Sequence, residues 1–535
     1  MGQLRVPVTL LVLALLPGTS VAELTGSLLS ENARITPPAG SPPLKSVSAG
    51  AIVAQNRPSQ PSGTSCPNSD ADPSLVRYGS PDGGGNGLTV SSPYRISDFL
   101  DQATAGWTLC LTDGTYQGAA GMIRPPAGRS GTSTARITIA AMNEGQVIID
   151  GQFQSDDGSP RVPLWFTSNS WFLIQGINFR NSIRHVAVLG GPDAFDLATA
   201  STDNIIRRSI FWDANGTDNA VVALHAPGLR NLWEDSAFFG TGRSIWQVYT
   251  GQDNICRRCW IREEGNMSNS GPVHGFVPNY GGSSPTSRTI CENCLFTWYA
   301  LSMPQNYTDG HDGTPYTGFA MAGQRSAAQF GEGNCGESQQ YKIFGSLSYL
   351  RAGDSISANS DPLEMAGDRR SNDVLFRDMM VVVPPGFPNS VAGFVLGDFN
   401  CGTRPNTSGN VAQNITSVGV SFNNIHSSWS IIGHATASTV SGLGSNGPFT
   451  ATSTGANLCF RYLNGVRTIT PLWPWPMNER IKQALAQAGS YSGPCINCEG
   501  GRFNRAGTAD PTADVETLLG TIPSGCKATS PEIAG

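Results

Sequence analysis

The chain has 535 residues, a formal net charge of −6 and only 14% charged residues. Binding to phosphates requires a basic face, so this acidic balance argues against a nucleic-acid partner. The 63 glycines and the low charge are typical of a β-rich extracellular protein rather than a helical one. Twelve cysteines in such a chain predict disulfides.

The N-terminus has the features of a secretory signal peptide, which we place at residues 1–22. Arg5 precedes an apolar run from Val6 to Leu16, and the small residue Ala22 suits a cleavage site. No other stretch reaches the roughly 18 apolar residues that a membrane span needs. We therefore expect a secreted protein, extracellular, periplasmic or at the cell surface, with no membrane contact after cleavage.

The next segment, residues 23–65, is rich in Pro, Ser, Ala and Gly without an apolar period, which predicts a disordered linker. A short helix is expected from Ser97 to Ala103, with Ser97 as N-cap and Asp98 in the first turn. An amphipathic helix there would cover the open first turn of a stacked β structure.

Three segments with the period of two typical of strands follow, at Trp107–Tyr116, Ala135–Ala141 and Gln146–Gly151. Their order, Gly-Trp-Thr-Leu-Cys-Leu-Thr-Asp-Gly-Thr-Tyr, then Ile-Thr-Ile-Ala-Ala and Gly-Gln-Val-Ile-Ile-Asp-Gly, then Phe-Leu-Ile-Gln-Gly-Ile-Asn-Phe, resembles a known opening. It is similar to that of the chondroitinase B and alginate lyase group of polysaccharide lyases, in the pectin-lyase-like superfamily. The resemblance covers roughly residues 95–180 and implies a right-handed parallel β-helix.

A motif of seven residues, centred on a small or polar residue that we call the pivot, recurs along the middle of the chain. The pivots are 23 to 52 residues apart, which is too irregular for a helical solenoid but suits strands joined by unequal loops. A unit this short cannot bury its own apolar face, so the units must stack in parallel. We place the pivots, the last of them by extension, at Gly176, Ser209, Ser236, Cys259, Cys294, Ser346, Asp378 and Gly419.

These features predict an all-β, single-stranded right-handed parallel β-helix over residues 66–470. Residues 471–535 are expected to form a C-terminal cap with short helices at Asn478–Ala488 and Pro511–Leu519. Disulfides among Cys495, Cys498 and Cys526 would hold that cap together.

Two adjacent repeats carry Cys-x-x-Cys pairs, Cys256 with Cys259 and Cys291 with Cys294. These are the ligand types of a four-cysteine zinc site. The alignment places them in interior columns, where neighbouring strands lie about 4.8 Å apart, so Cys256 is expected beside Cys291 and Cys259 beside Cys294. Disulfides are the favoured interpretation, a reduced buried ladder and a metal are the alternatives, and no metal is assigned.

Lyases that open uronate polymers need a base and a cation beside the carboxylate. Lys342 is the only lysine of the coil region, and Arg351 follows the same repeat. The resemblance to alginate lyases implies such a Lys and Arg pair, with calcium, as catalytic groups. The Asn-Lys-Ser and Arg-His-Gly motifs of those enzymes are missing here, and a structural or solvated Lys342 is the alternative.

A second candidate site lies in the loop before the sixth repeat. Asp309 and His311 offer acid-base groups beside Tyr307, and the run faintly resembles the Asp-Pro-His-Asp motif of mannuronan epimerases, without its proline. Turn formation by Asp-Gly explains the same residues. His274 and Tyr280, in the neighbouring insertion, are expected on the same side as substrate-binding residues.

Two further groups are candidates for binding. Trp246 and Trp298 lie outside the aligned repeats and are expected to stack on sugar rings, whereas the other tryptophans of these turns are expected in the core. Acidic side chains after the sixth repeat suit calcium, although a solvated loop is the favoured interpretation because the spacing matches no calcium motif. They are Asp354, Asp361, Glu364 and Asp368.

The sequence thus predicts a secreted protein that acts on polysaccharide, as a lyase or an epimerase of a uronate polymer. The alternative is a non-catalytic extracellular β-helix that binds glycans or forms surface structure. No cofactor is assigned, and calcium is a candidate. The long interruptions of the repeat, rather than the repeat itself, are the expected location of the site.

Overall fold

A computed structural model describes the chain from residue 72 onward, with gaps. The signal peptide and linker predicted at residues 1–22 and 23–65 lie outside the described residues. Those that the structure describes are 72–190, 200–214, 220–224, 228–242, 244–248, 251–265, 273–277, 286–298, 325–330, 338–340, 342–350, 360–365, 371–372, 375–382, 395–396, 407–408, 411–418, 435–436, 439–441, 449, 458–489 and 510–529.

The described part consists of short strands. The N-terminal third holds β1 Val76–Gly79, β2 Thr108–Leu111, β3 Gly114–Tyr116, β4 Ile137–Ala141, β5 Val147–Asp150, β6 Ser155–Asp156, β7 Ser159–Pro160, β8 Leu164–Phe166, β9 Phe172–Gln175, β10 Asn178–Ser182 and β11 Ala187–Leu189. The middle holds β12 Ser201–Thr202, β13 Ile205–Arg207, β14 Ile210–Ala214, β15 Ala220–Leu224, β16 Gly228–Leu229, β17 Leu232–Glu234, β18 Ala237–Thr241, β19 Ser244–Val248, β20 Ile255–Arg257, β21 Trp260–Gly265, β22 Val273–Val277, β23 Thr286–Ser287, β24 Ile290–Glu292 and β25 Leu295–Trp298. The remainder holds β26 Arg325–Phe330, β27 Ser338–Gln339, β28 Lys342–Phe344, β29 Leu347–Leu350, β30 Ser360–Met365, β31 Ser371–Asn372, β32 Leu375–Val382, β33 Val395–Leu396, β34 Thr407–Ser408, β35 Val411–Val418, β36 Ala435–Thr436, β37 Thr439–Ser441, β38 Phe460–Leu463 and β39 Val466–Pro471.

The strands stack as a parallel β-helix, which confirms the predicted fold. One large sheet has 20 strands and a short sheet has eight, β8, β11, β15, β19, β22, β26, β30 and β33. Small sheets such as β23, β27 and β31 form a third side. Each middle coil therefore contributes two strands to the large sheet and one to the short sheet, with the right-handed sense that parallel connections adopt. Within the described residues, antiparallel pairing occurs in the hairpins β6–β7 and β38–β39.

Eight of the described coils bend between their two large-sheet segments at a residue in the left-handed region. The φ angles at this position run from 47° to 77°. Glycine, asparagine and aspartate tolerate this conformation best, and arginine occupies it twice. The residues are Gly176, Arg208, Asp235, Arg258, Asn293, Gly345, Asp378 and Asn414.

The position of the bend shows that the predicted alignment of the repeats is wrong in the first unit and in the last two. The five central pivots, from Ser209 to Ser346, are in register as predicted. In the first unit the equivalent residue is Ile177 rather than Gly176, and in the seventh it is Met379 rather than Asp378. Both errors have one cause. In the central units a small residue follows the bend, and in these two units the small residue at the bend itself was aligned with it. The eighth pivot is Ile415, so the prediction at Gly419 was wrong by four residues.

Aromatic side chains stack along the interior in register with the strands. Phe179 and Phe211 have ring centroids 4.5 Å apart at an interplanar angle of 4°, and Phe211 and Phe238 are 5.4 Å apart. Equal side chains at equal positions of successive coils meet face to face, which adds to the burial of their apolar area.

An asparagine ladder closes the turn before the first large-sheet strand. Asn204 donates from its amide nitrogen Nδ2 to Asn231 Oδ1 at 3.1 Å, and Asn231 donates likewise to Asn254 Oδ1 at 3.2 Å. The backbone N–H groups of Asn204 and Asn231 donate to the same oxygens. All three residues are fully buried, so the ladder satisfies groups that water cannot reach.

The N-terminal helix spans Ile96–Gln102 and packs Ile96, Phe99 and Leu100 onto the core of the first coils. Its N-cap is Arg95, two residues before Ser97, which was the predicted N-cap. The Asp98 carboxylate accepts the backbone N–H of Arg95 at 3.3 Å and its guanidinium at 2.9 Å, which favours the earlier start.

The two C-terminal helices lie where predicted, at Asn478–Ala488 and Pro511–Leu519. Their segment packs along the side of the coil, with Trp473 and Trp475 against the outward residues of the large sheet. The outward residues that it helps to bury include Ile210, Trp212, Ala237, Phe239, Trp260, Leu295, Leu347 and Tyr349. None of the helices in the described part of the chain has the length and apolarity that crossing a bilayer requires.

Replacement of Asn231 by alanine tests the ladder. The Asn231→Ala variant leaves its ladder partners buried without their hydrogen bonds, and we expect a loss of about 3 kcal/mol in the free energy of unfolding. The exposed Asn143→Ala variant should change it by no more than about 0.5 kcal/mol. Urea unfolding of both variants is the measurement, and equal changes in the two would contradict a structural role for the ladder.

The ion pair between Arg258 and Asp235 predicts a specific pH dependence. Burial by itself raises the pKa of Asp235, but the charge and hydrogen bonds of Arg258 outweigh it and hold that pKa below its usual value. A lowered folded-state pKa contributes stability above the unfolded value of about 4, and this stability is lost as the pH falls through the folded value. We expect Asp235→Asn to cost roughly 2 kcal/mol at pH 7, with the gap from wild type narrowing below about pH 4. Urea midpoints across that range measure the gap, and a gap that stays constant with pH would refute this account.

Candidate functional site

The longest connection of the coil, 299–324, crosses one corner, which we call the loop corner. At the loop corner β21, β25 and β29 end, and β22, β26 and β30 of the short sheet begin. Preceding coils cross it by the short connections 183–186, 215–219 and 242–243. The next three coils cross it by 266–272, 299–324 and 351–359. Three successive insertions on one edge of a solenoid are the usual form of a binding surface.

The strands that begin at the loop corner bring polar residues into direct register. Ser244, His274, Ser326 and Asp361 form one row across β19, β22, β26 and β30. Because neighbouring strands lie about 4.8 Å apart, His274 and Asp361 are about 10 Å apart along this row. Residues far apart in the chain therefore share one row at the edge where the insertions emerge.

A cation and an aromatic residue adjoin that row. Arg325 is the first residue of β26 and is in register with Val273 and Ser360. Trp298 is the last residue of β25, in register with Glu263. The loop corner thus collects a histidine, an arginine, a carboxylate and a tryptophan on three consecutive coils.

Several predicted site residues belong to the connections at this corner. Tyr307, Asp309 and His311 lie in 299–324 and Arg351 in 351–359, and all four are outside the described residues. The chain nevertheless enters and leaves both connections at the loop corner, next to Arg325 and Ser360. Tyr280, also outside the described residues, follows the opposite end of β22.

Lys342 lies apart from the loop corner, as the first residue of β28. Its register neighbours are Ile290 and Leu375, and its side chain is exposed. A lysine that acts as a base is usually buried beside other cations, and Lys342 is exposed to solvent instead.

Trp246 is not a sugar-stacking residue, contrary to the prediction. Its side chain is fully buried and stacks on Phe276, with centroids 4.8 Å apart and an interplanar angle of 12°. It occupies the same interior row as Val222 and Ala328, so its position outside the aligned repeats reflects membership of the short sheet.

An ion pair that the sequence analysis missed lies on β21, just before the loop corner. Arg262 and Glu264 are both fully buried and approach each other to 2.8 Å, and the guanidinium lies 5.6 Å from the Trp260 ring centre. Alternate charged residues on a strand usually indicate a solvated face. The burial of Arg262 and Glu264 becomes visible only in the folded chain, where other residues cover this face of the strand.

The four cysteines of the paired motifs are buried and free rather than bonded, so the favoured disulfide interpretation was wrong. Cys256 is in register with Cys291, as predicted. Burial raises the pKa of the Cys256, Cys259 and Cys291 thiols. Burial acts on Cys294 in the same direction, but side-chain hydrogen bonds from the other three outweigh it and hold the pKa of Cys294 well below its usual value.

The C-terminal disulfide differs from the predicted set. Cys526 is bonded to Cys459, which joins the C-terminal segment to the residue directly before β38. Cys495 and Cys498 lie outside the described residues.

The acidic stretch offers no calcium cluster in the part of the chain that the structure describes. Asp361 and Glu364 are on β30, whereas Asp354 and Asp368 lie outside the described residues. The group of possible metal ligands found among the described residues consists of cysteines.

No family model and no curated protein matches this chain. Solved structures similar to it include pectate lyase Pel9A, with a TM-score of 0.42, 15% identity and coverage of 73% of this chain and 83% of that one. An alginate lyase from Paenibacillus sp. str. FPU-7 has a TM-score of 0.34 and 13% identity, over 69% of this chain and 98% of that one. A rhamnogalacturonan lyase has a TM-score of 0.37 and 14% identity, over 69% and 88%.

Proposed function

We propose that this chain is a secreted protein that acts on a uronate-containing polysaccharide, as a lyase or an epimerase, with its site at the loop corner. The observation that carries the proposal is that His274, Arg325 and Asp361 all lie within the first two residues of short-sheet strands, at the edge where three insertions emerge. The signal peptide expected at residues 1–22 supports secretion.

The chemistry of uronate polymers explains why these residue types suit the task. A base removes the proton next to the carboxylate, and the negative charge that develops needs a cation beside it. In a lyase the leaving oxygen departs with a proton from an acid, whereas in an epimerase a proton returns from the opposite face. His274 supplies an imidazole base, and Arg325 supplies a permanent cation that can bind a carboxylate with two hydrogen bonds.

The insertions would complete the site. Asp309 and His311 offer a second acid-base pair in the longest connection, with Tyr307 two residues before the aspartate. Arg351 directly follows the end of β29 and would add a second cation. Trp298 ends β25 at the same corner and offers a ring on which a sugar can stack.

Calcium has no role in this proposal. In register, Asp361 adjoins Ser326, and Glu364 adjoins Gln329 and Val395, so neither has a second carboxylate as a described neighbour. A calcium ion requires six to eight oxygen ligands. The described strands therefore do not fit it, and no step is assigned to it.

The test is the release of unsaturated uronate from alginate, pectate and glycosaminoglycans, followed by ultraviolet absorbance, with proton exchange at the uronate carbon as the epimerase readout. We expect one polymer to react, and His274→Ala to lower kcat/KM at least about 100-fold, the usual contribution of a general base. Arg325→Ala should raise KM as well. Lys482→Ala, an exposed lysine on the first C-terminal helix, is the matched control and should retain activity.

The same assay separates the alternatives. Full activity of His274→Ala together with loss in Lys342→Ala would move the base to the lysine and contradict a site at the loop corner. Binding to a polymer without any product or exchange would favour the non-catalytic glycan-binding protein instead.

A further inference from the structure

The four cysteines of two successive coils converge on one point of the interior. Cys256 and Cys291 are register partners, and Cys259 and Cys294 follow the left-handed residues Arg258 and Asn293 of the same two coils. None of the four cysteines is more than 1% exposed. The Sγ atoms of Cys256, Cys259 and Cys294 all lie within 4.8 Å of one another.

We propose that these cysteines bind one tetrahedral zinc ion inside the coil. The proposal is independent of the activity proposed for the loop corner. The left-handed bend is what makes it geometrically feasible. In each pair the first cysteine lies two residues before the bend and the second lies directly after it. The bend reverses the alternation of side chains along the strand, so both cysteines of a pair are directed to the same side. Two such pairs on adjacent coils provide four sulfurs around one centre.

The sulfur separations favour a single ion. With zinc–sulfur bonds of about 2.3 Å, the sulfurs of a tetrahedral site are about 3.8 Å apart. Three Sγ atoms within 4.8 Å of one another need only small side-chain rotations to reach that separation. An iron–sulfur cluster distributes its four cysteines over two or four iron atoms and therefore requires a wider arrangement.

Cys291 is the fourth ligand. It is 1% exposed and lies in direct register with Cys256. A change in its side-chain torsion brings its sulfur toward the other three without a change in the strand register. The surrounding interior is apolar, with Phe238, Ile261 and Phe296 on the neighbouring positions of these coils.

Metal binding requires that the cysteine thiols lose their protons. As thiols, Cys259 donates to the Trp233 carbonyl at 3.6 Å and Cys294 donates to the Cys256 carbonyl at 3.3 Å. Binding of a divalent ion by four thiols releases four protons to solvent and leaves a dianionic centre. Arg257 and Arg258, between the first two ligands, are the nearest cations on this turn and are themselves held by Glu234, Asp235 and Glu292.

The column that holds Cys259 and Cys294 provides conservative variants. Ser209, Ser236 and Ser346 occupy the equivalent position on the neighbouring coils. Replacement of both cysteines by serine therefore continues an existing serine column and should preserve the fold. Ser209→Ala, two coils from Cys259, is the matched control because it alters the same column without removing a sulfur.

The full chain is analysed for metal content and, in the folded state without reductant, for free thiols before and after addition of a chelator. We expect one zinc per chain, and four thiols that become reactive only when a chelator is present, with a lowered Tm after chelation. Substitution by Co²⁺ should give the absorption of a tetrahedral thiolate site. Cys259→Ser/Cys294→Ser should lose the metal and Ser209→Ala should keep it.

Each other outcome overturns the proposal. Four free thiols that take up neither zinc nor cobalt would show a reduced cysteine ladder. Absence of free thiols would show disulfides. One zinc retained by the double variant, folded as judged by circular dichroism, would place the metal on other residues.

Discussion

The bend at a left-handed residue between two parallel strands is the constraint on which the rest of this molecule depends. It turns the chain at the same position on eight coils, so that strands on both sides of it remain in register. Register in turn places like side chains one above another, which produces the stacked phenylalanines, the asparagine ladder and the facing cysteines. A coil whose bend moved by one residue would direct its apolar side chains outward, because the side-chain period of a strand is two.

The same constraint separates scaffold from site. Within each coil the large-sheet strands and their bend vary little in length, because they must match the coil on either side. The crossing at the loop corner is free of that requirement, since its residues need not pair with a neighbour. Length therefore accumulates there, from two residues at 242–243 to the whole of 299–324. Polar residues at the strand ends next to it, such as His274 and Arg325, lie beside these insertions and yet are held by the sheet.

Much of the outer face of the large sheet is buried, whereas its alternating sequence suggests a face exposed to solvent. The C-terminal segment covers it, and Tyr349 donates a hydrogen bond to Asp514 at 3.0 Å across the contact. Arg480 reaches back to Glu144 and to the Arg208 carbonyl, on coils far from it in the chain. The segment therefore joins early and late coils along their length, which stabilises their stacking in a way that contacts between neighbouring coils alone cannot.

Periodicity, pivots and caps are local signals, and they were sufficient to predict the parallel β-helix, the five central units of the repeat and both C-terminal helices. They also predicted that Cys256 lies beside Cys291. Other features depend on contacts between distant segments: the burial of Trp246, the absence of disulfides among the four cysteines, the bond from Cys526 to Cys459, and the row that contains His274 and Asp361. Those contacts have no local signal, since the residues that make them are brought together only by the stacking of coils and the return of the C-terminal segment.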